Sequence, residues 1–96
     1  MTGAPVPLTF TPTKSRFQFL TATGRHGEHQ LTEEAFTWSY TLIRTDGRTV
    51  TANAGFREVA EDIAQAVENA INPDARQVRA IAHQIYRAHL ADTRRI

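Results

Sequence analysis

The chain has no cysteine, one lysine and two serines among its 96 residues. Without cysteine it can hold no disulfide framework, no thiolate nucleophile and no cysteine-ligated metal. Ser15 and Ser39 lack the flanking glycines of a nucleophile elbow, and the glycines nowhere gather into a phosphate-cradling loop. No apolar run approaches the ~20 residues that cross a bilayer. The opening MTGAPVPLTF lacks the positive region and long apolar stretch of a signal peptide. These absences predict a cytoplasmic protein with no membrane partner and no cofactor, and they argue against nucleophilic or phosphoryl-transfer catalysis.

What is present suffices for one domain, since at this length roughly 60–70% of the unfolded chain's surface can be buried. The expected core is Phe17, Phe19, Leu31, Phe36, Trp38, Tyr40, Leu42, Val50, Phe56, Val59, Ile63, Val67, Ile71, Val78, Ile81 and Ile85. Residues 1–14, rich in proline and threonine, read as an extended N-terminal arm with a short edge strand at residues 8–11. Residues 15–96 read as a single α+β domain.

In SRFQFLTAT, Phe17 and Phe19 alternate with Arg16, Gln18 and Leu20, which is strand spacing. GRHGEHQ follows as a polar loop. AFTWSYTLIR places Phe36, Trp38, Tyr40 and Leu42 on one buried face and Thr37, Ser39 and Thr41 on a wet one. The next turn admits two registers. A two-residue Asp46-Gly47 loop would set Leu42 against Thr51. A three-residue loop, Thr45-Asp46-Gly47 with Gly47 left-handed, pairs Leu42 with Val50 and Tyr40 with Ala52, matching apolar to apolar. The second register is expected. Thr49 and Thr51 then extend the hydroxyl-bearing outer face.

Phe56, Val59, Ala60, Ile63, Val67, Ala70 and Ile71 form one helical stripe, with Glu58, Glu61 and Glu68 opposite in water. This helix should stop at Asn72-Pro73-Asp74, with Asn72 capping the next helix across a corner of about one residue. So short a corner does not suit a DNA-reading helix-turn-helix. The second helix buries Val78, Ile81, Ala82 and Ile85, with Ala88 and His89 continuing that face. The expected fold is α+β: an antiparallel three- to four-stranded sheet with two C-terminal helices packed on one face.

The net charge is +1, unevenly spread: residues 55–72 carry −3 and residues 73–96 carry +3. Arg76, Arg79, His83, Arg87 and Arg94 fall within about 80° of one another on a helical wheel. Arg76 and Arg79 sit near the helix N-terminus, where a cation is unfavourable. A solvated ridge, or pairing with Glu58, Glu61, Asp62 and Glu68, is the ordinary explanation. A protein partner with an acidic surface comes next, and nucleic acid after it, since exposed aromatics and lysines are scarce beside the ridge. Arg44 and Arg48 face each other across the turn; like charges there either splay apart or hold an anion or acidic side chain.

In HGEH, His26, Glu28 and His29 lie close enough in sequence to suggest zinc ligands, but the spacing matches no metal signature and a solvated loop is expected. Glu33 and Glu34 would point apart in a strand, or serve as first-turn acids of a helical turn capped by Thr32, and form a carboxylate pair in neither arrangement. The run from Trp38 to Val67, with Leu42, Gly47, Val50 and Gly55-Phe56, resembles the strand–turn–strand–helix unit of small bacterial domains. It covers about a third of the chain, and the resemblance implies no function.

The expected function is a small non-enzymatic protein-interaction module, adaptor or regulator. Its partner-binding residues would be Arg76, Arg79, His83 and Arg87, then Arg44 and Arg48, engaging an acidic partner or a second copy. The alternative is a nucleic-acid-binding accessory protein using the same arginines, and a metal- or small-molecule-binding domain around His26 and His29 ranks third.

Overall fold

The computed structural model describes residues 7–12 and 19–93. In chain order the elements are β1 (Thr11–Pro12), β2 (Phe19–Gly24), β3 (Gly27–Glu34), β4 (Thr37–Arg44), β5 (Thr49–Gly55), α1 (Arg57–Asn69) and α2 (Ala75–Thr93). The strands form one antiparallel meander in the order β1-β2-β3-β4-β5. Both helices lie on one face of it, α1 across β3, β4 and β5, and α2 along β5. The α+β class is as expected, but the sheet has five strands rather than three or four.

The added strand is β3, which begins inside the segment read as a loop. Its inward positions are His29 and Leu31, both fully buried. A histidine at the first of these hides the apolar alternation by which a half-buried strand is recognised. Glu33 and Glu34 end this strand, so the strand alternative holds for them and the capped helical turn does not. In β2 the inward residues are Leu20 and Ala22, opposite to the phasing set by the phenylalanines. Phe17 lies outside the described residues, as does the side chain of Phe19.

Across β4 and β5 the pattern of the sequence is realised. Leu42 pairs with Val50 and Tyr40 with Ala52. Gly47 has φ +89°, and the Arg44 N–H donates to Arg48 O at 2.8 Å, closing the three-residue loop. A bulge between Trp38 and Ser39 ends the regular ladder. On the outer face Thr41 and Thr51 hydroxyls meet at 3.0 Å.

Phe36 is not in the core; it is 95% exposed. It shares the two-residue β3–β4 turn with Ala35, and both are left-handed, with φ 65° and 52°. That is the twist two-residue hairpins favour, usually supplied by Asn-Gly. The i, i+2 pattern therefore starts at Trp38, not Phe36.

In α1, Val59, Ala60, Ile63, Ala64 and Val67 are buried. Phe56 is the residue before the helix, in extended conformation and 43% exposed, so it caps the stripe rather than joining it. The helix ends at Asn69, and Ile71 stands 84% exposed in the connection. Residues 70–74 separate the helices, a longer corner than one residue. Asn72 is left-handed there, with φ 47°, and Asp74 is the true cap. The Gln77 N–H donates to Asp74 Oδ1 at 2.8 Å, and the Asp74 N–H donates to Gln77 Oε1 at 3.1 Å. This reciprocal capping box satisfies two otherwise free amides, and an aspartate provides it as well as Asn72 could.

The core lies between sheet and helices around Tyr40, Leu31, Leu42, Ile63, Val59, Val67 and Val78. Each large apolar side chain contributes about 1.5–3 kcal/mol by leaving water. Ile81 and Ile85 are only partly buried at its border, with Leu8 and Phe10 of the N-terminal segment. The Leu8 N–H donates to Gln65 Oε1 at 2.8 Å, tying that segment to α1. Among the described residues no helix is long and apolar enough to cross a membrane.

Candidate functional site

One buried polar residue interrupts this core. His29, with no exposed surface, places Nδ1 2.6 Å from the Tyr40 hydroxyl and Nε2 3.0 Å from Glu68 Oε1. Strand alternation points His29 inward from β3, its neighbour Tyr40 inward from β4, and α1 lays Glu68 over both. Burial pulls the imidazole below its ordinary 6.5, outweighing the hydrogen bond and charge of Glu68, and His26 adds to the lowering. Burial alone would push Glu68 up, but the Arg25 amide, His29 and His26 hold its carboxyl below the usual range. Burial and the Glu68 charge push Tyr40 up, so its phenol keeps its proton. These states assign the protons: Tyr40 O–H donates to Nδ1, and Nε2–H donates to the Glu68 carboxylate.

Glu68 is held from the other side by the β2–β3 turn. The Arg25 N–H reaches both carboxylate oxygens, at 3.1 and 3.0 Å. The Arg25 side chain donates to the carbonyls of Glu68 at 2.8 Å and Ala70 at 3.3 Å, and His26 Nε2 donates to Ala70 O at 2.7 Å. Helices end with carbonyls lacking partners and a partial negative charge, so a cationic turn is well suited to this end of α1. Gly24 makes the approach possible: a Cβ there would collide with the Glu68 carboxylate and sit 2.8 Å from His29 Nε2.

The HGEH motif is thus a hairpin, not a solvated loop. Its side chains are dispersed: His26 to a helix carbonyl, Glu28 to Gln30 Nε2 at 3.0 Å on the outer face, and His29 to the core. Among the described residues no group of three or more potential ligands is arranged to hold a metal ion. The Tyr–His–Glu chain resembles a proton relay chemically, but Tyr40 and His29 have no exposed surface on which a substrate could rest. Its evident work is to satisfy the buried imidazole and fasten α1 to the sheet.

The arginines of α2 present the opposite situation. Arg76, Arg79, His83 and Arg87 are all exposed, and among the described residues they take part in no ion pair or hydrogen bond. Arg94 lies outside the described residues. Among the described residues, none of these four side chains pairs with an acid of α1. Glu68 belongs to His29 and Arg25, and Glu61 Oε1 accepts from Arg57 Nε at 2.9 Å. Asp62 lines a shallow depression with Ile85, Ala88, His89 and Asp92 on the other flank of α2. His89 packs its ring on Phe56, centroids 4.9 Å apart, rather than on the core proper.

Arg44 and Arg48 are separated from one another by use. Arg44 Nη1 donates to Pro73 O at 2.6 Å, holding the corner that leads into α2. Arg48 extends into solvent, and Asp46 lies between the two, 4.0 Å from Arg44 Nε and 3.9 Å from Arg48 Nε. The acidic side chain expected between them is therefore Asp46 of the same turn.

Sequence reasoning located the α2 ridge and missed Glu68, Tyr40 and Gly24 as polar-site residues. Glu68 sat on the wet side of the wheel, and its partner lies 39 positions away. The available signal was the histidine at an inward strand position, which requires a partner once buried. The chain matches no family model, no curated protein and no solved structure.

Proposed function

We propose that the chain is a small non-enzymatic interaction module, an adaptor or regulator acting in the cytoplasm, whose α2 ridge docks an acidic surface of a protein partner. The observation that carries this reading is the unpaired state of Arg76, Arg79, His83 and Arg87 while the acids of α1 are engaged elsewhere or face away. Aligned cations repel one another, and two of them oppose the helix dipole; a partner's carboxylates relieve both effects. Arg48 extends the positive surface at the N-terminal end of α2, where Arg44 anchors the corner. Tyr86, the one aromatic beside the ridge, is partly buried against β5 and is a poor platform for base stacking, which favours protein over nucleic acid.

The test is binding of labelled poly-L-glutamate and of a DNA duplex and single strand across a salt series, with an Arg76/Arg79/Arg87→Ala triple variant alongside. Salt-sensitive binding of polyglutamate that the variant loses supports the proposal. Binding of DNA in preference, with a steep salt slope, moves the ridge to phosphate contact. Retention of polyglutamate binding by the triple variant removes the ridge from the interface.

A further inference from the structure

We infer that the partner segment is an extended acidic peptide that adds as a sixth strand to the free edge of β5, with its carboxylates under the α2 ridge. This deepens, and rests on, the reading of the ridge as an acidic-partner surface. Three observations converge on it.

The first is the edge itself. β5 ends the strand order, and among the described residues nothing pairs with its far side. Arg44 N–H bonds to Arg48 O, and the ladder then runs through Leu42–Val50 and Tyr40–Ala52. Antiparallel alternation therefore turns the N–H and C=O groups of Thr49, Thr51 and Asn53 outward. The strand TVTANAG contains no charge and no proline, the devices that ordinarily protect an edge. Only its far end is closed, where Asn53 Oδ1 accepts from the Gly55 N–H at 3.2 Å.

The second is the position of the ridge. α2 begins at the corner held by Arg44 and reaches Gly55 at Tyr86, whose Cε2 would lie 3.1 Å from a Cβ there. It thus runs beside β5 in the same direction. Its Ile85, Ala88 and Asp92 flank faces Asp62 of α1. At about 100° per residue, the faces follow in order: the α1 flank, then Val78 and Ala82 in the core, then Tyr86 over β5, then Arg79, His83, Arg76 and Arg87. The ridge consequently lies on the side of α2 away from α1, with Arg79 and His83 nearest the open edge and Arg76 and Arg87 opposite the core.

The third is spacing. Alternate residues of an added strand face the helix layer and repeat every ~6.8 Å. One turn of ridge, Arg79 to His83 or His83 to Arg87, rises ~6 Å. Glu or Asp at every second position meets the ridge in step. A second copy of the chain is disfavoured as occupant, because two-fold pairing about Thr51 brings the two arginine ridges together.

The experiment measures binding of fluorescein-labelled TETETET, and of the clustered isomer EEETTTT, to the full chain. Thr51→Pro blocks the edge and leaves the β4–β5 ladder intact, since the Thr51 amide points outward. Arg79→Glu/Arg87→Glu reverses the ridge. Amide exchange on the wild-type chain provides a readout that needs no variant. The expected result is binding of TETETET, about tenfold weaker for EEETTTT, for Thr51→Pro and for the charge reversal, with new protection at Thr49, Thr51 and Asn53. Loss on charge reversal, with full binding by Thr51→Pro and no new protection, overturns the edge and leaves the ridge reading intact. Indifference to both variants, or no binding of either peptide, overturns both. A peptide-free dimer abolished by Thr51→Pro would replace the acidic peptide with a second copy.

Discussion

His29 and Glu68 meet at 3.0 Å although 39 positions separate them in the chain. That contact joins the middle of the sheet to the end of α1, and it makes the fold sensitive to acid. Burial lowers the His29 pKa below 6.5, so below that pH the unfolded chain binds a proton that the folded chain resists. Stability is then full above about pH 6.5 and falls as pH drops beneath it. Glu68, also lowered, from 4.5, adds a second loss that begins near that value, in the same direction. Urea midpoints at a series of pH values should decline from about pH 6.5 downward. His29→Gln should flatten the decline that begins below about pH 6.5; an unchanged profile would remove His29 as its source.

Gly24 is predicted to be intolerant of any side chain. Its backbone is not left-handed, so the difficulty lies in space alone: an added Cβ strikes the Glu68 carboxylate. Gly24→Ala should cost about 2 kcal/mol or more by displacing Glu68 and leaving buried His29 short of a partner. In a Glu68→Ala background the same change should cost much less, which a double-mutant cycle by denaturant unfolding measures.

Phe36 offers the reverse case, a substitution that should stabilise. Its ring is almost wholly exposed and its φ is 65°, so it loses left-handed strain without losing burial. Phe36→Gly is expected to raise unfolding free energy by about 1 kcal/mol. A decrease would show that the ring contributes contacts that outweigh its backbone strain.

The ridge should be nearly silent in stability measurements. Arg79→Ala is expected within about 0.5 kcal/mol of the parent, and Arg76→Ala should be neutral or slightly stabilising, by a few tenths, because it removes a cation from the helix N-terminus. Thermal melts check this directly. A loss of more than about 1 kcal/mol from either would mean the arginines serve the fold rather than a partner.

Features that depend on neighbours in sequence were legible without coordinates. Trp38, Tyr40 and Leu42 alternate because they share one face of a strand, and Gly47 set the register that pairs Leu42 with Val50. Helix periodicity likewise placed Val59, Ile63, Val67 and Val78 inside, and it placed the arginines together on the outside.

Tertiary structure decided what periodicity could not express. Phe36 fits the strand pattern but belongs to the turn, because the turn's place depends on β3, whose own pattern a buried histidine conceals. Glu68 is on the polar side of its helix and is nevertheless claimed, because desolvating His29 is costly unless a distant carboxylate and phenol meet it. The ridge could be drawn on a wheel; that its helix lies along β5, the last strand of the sheet, was decided by packing. Composition and period thus determined the two helices and the β4–β5 hairpin with the inward faces of each, through local sterics and the burial of apolar surface. The packing of elements against one another determined which polar groups found partners and which remained available.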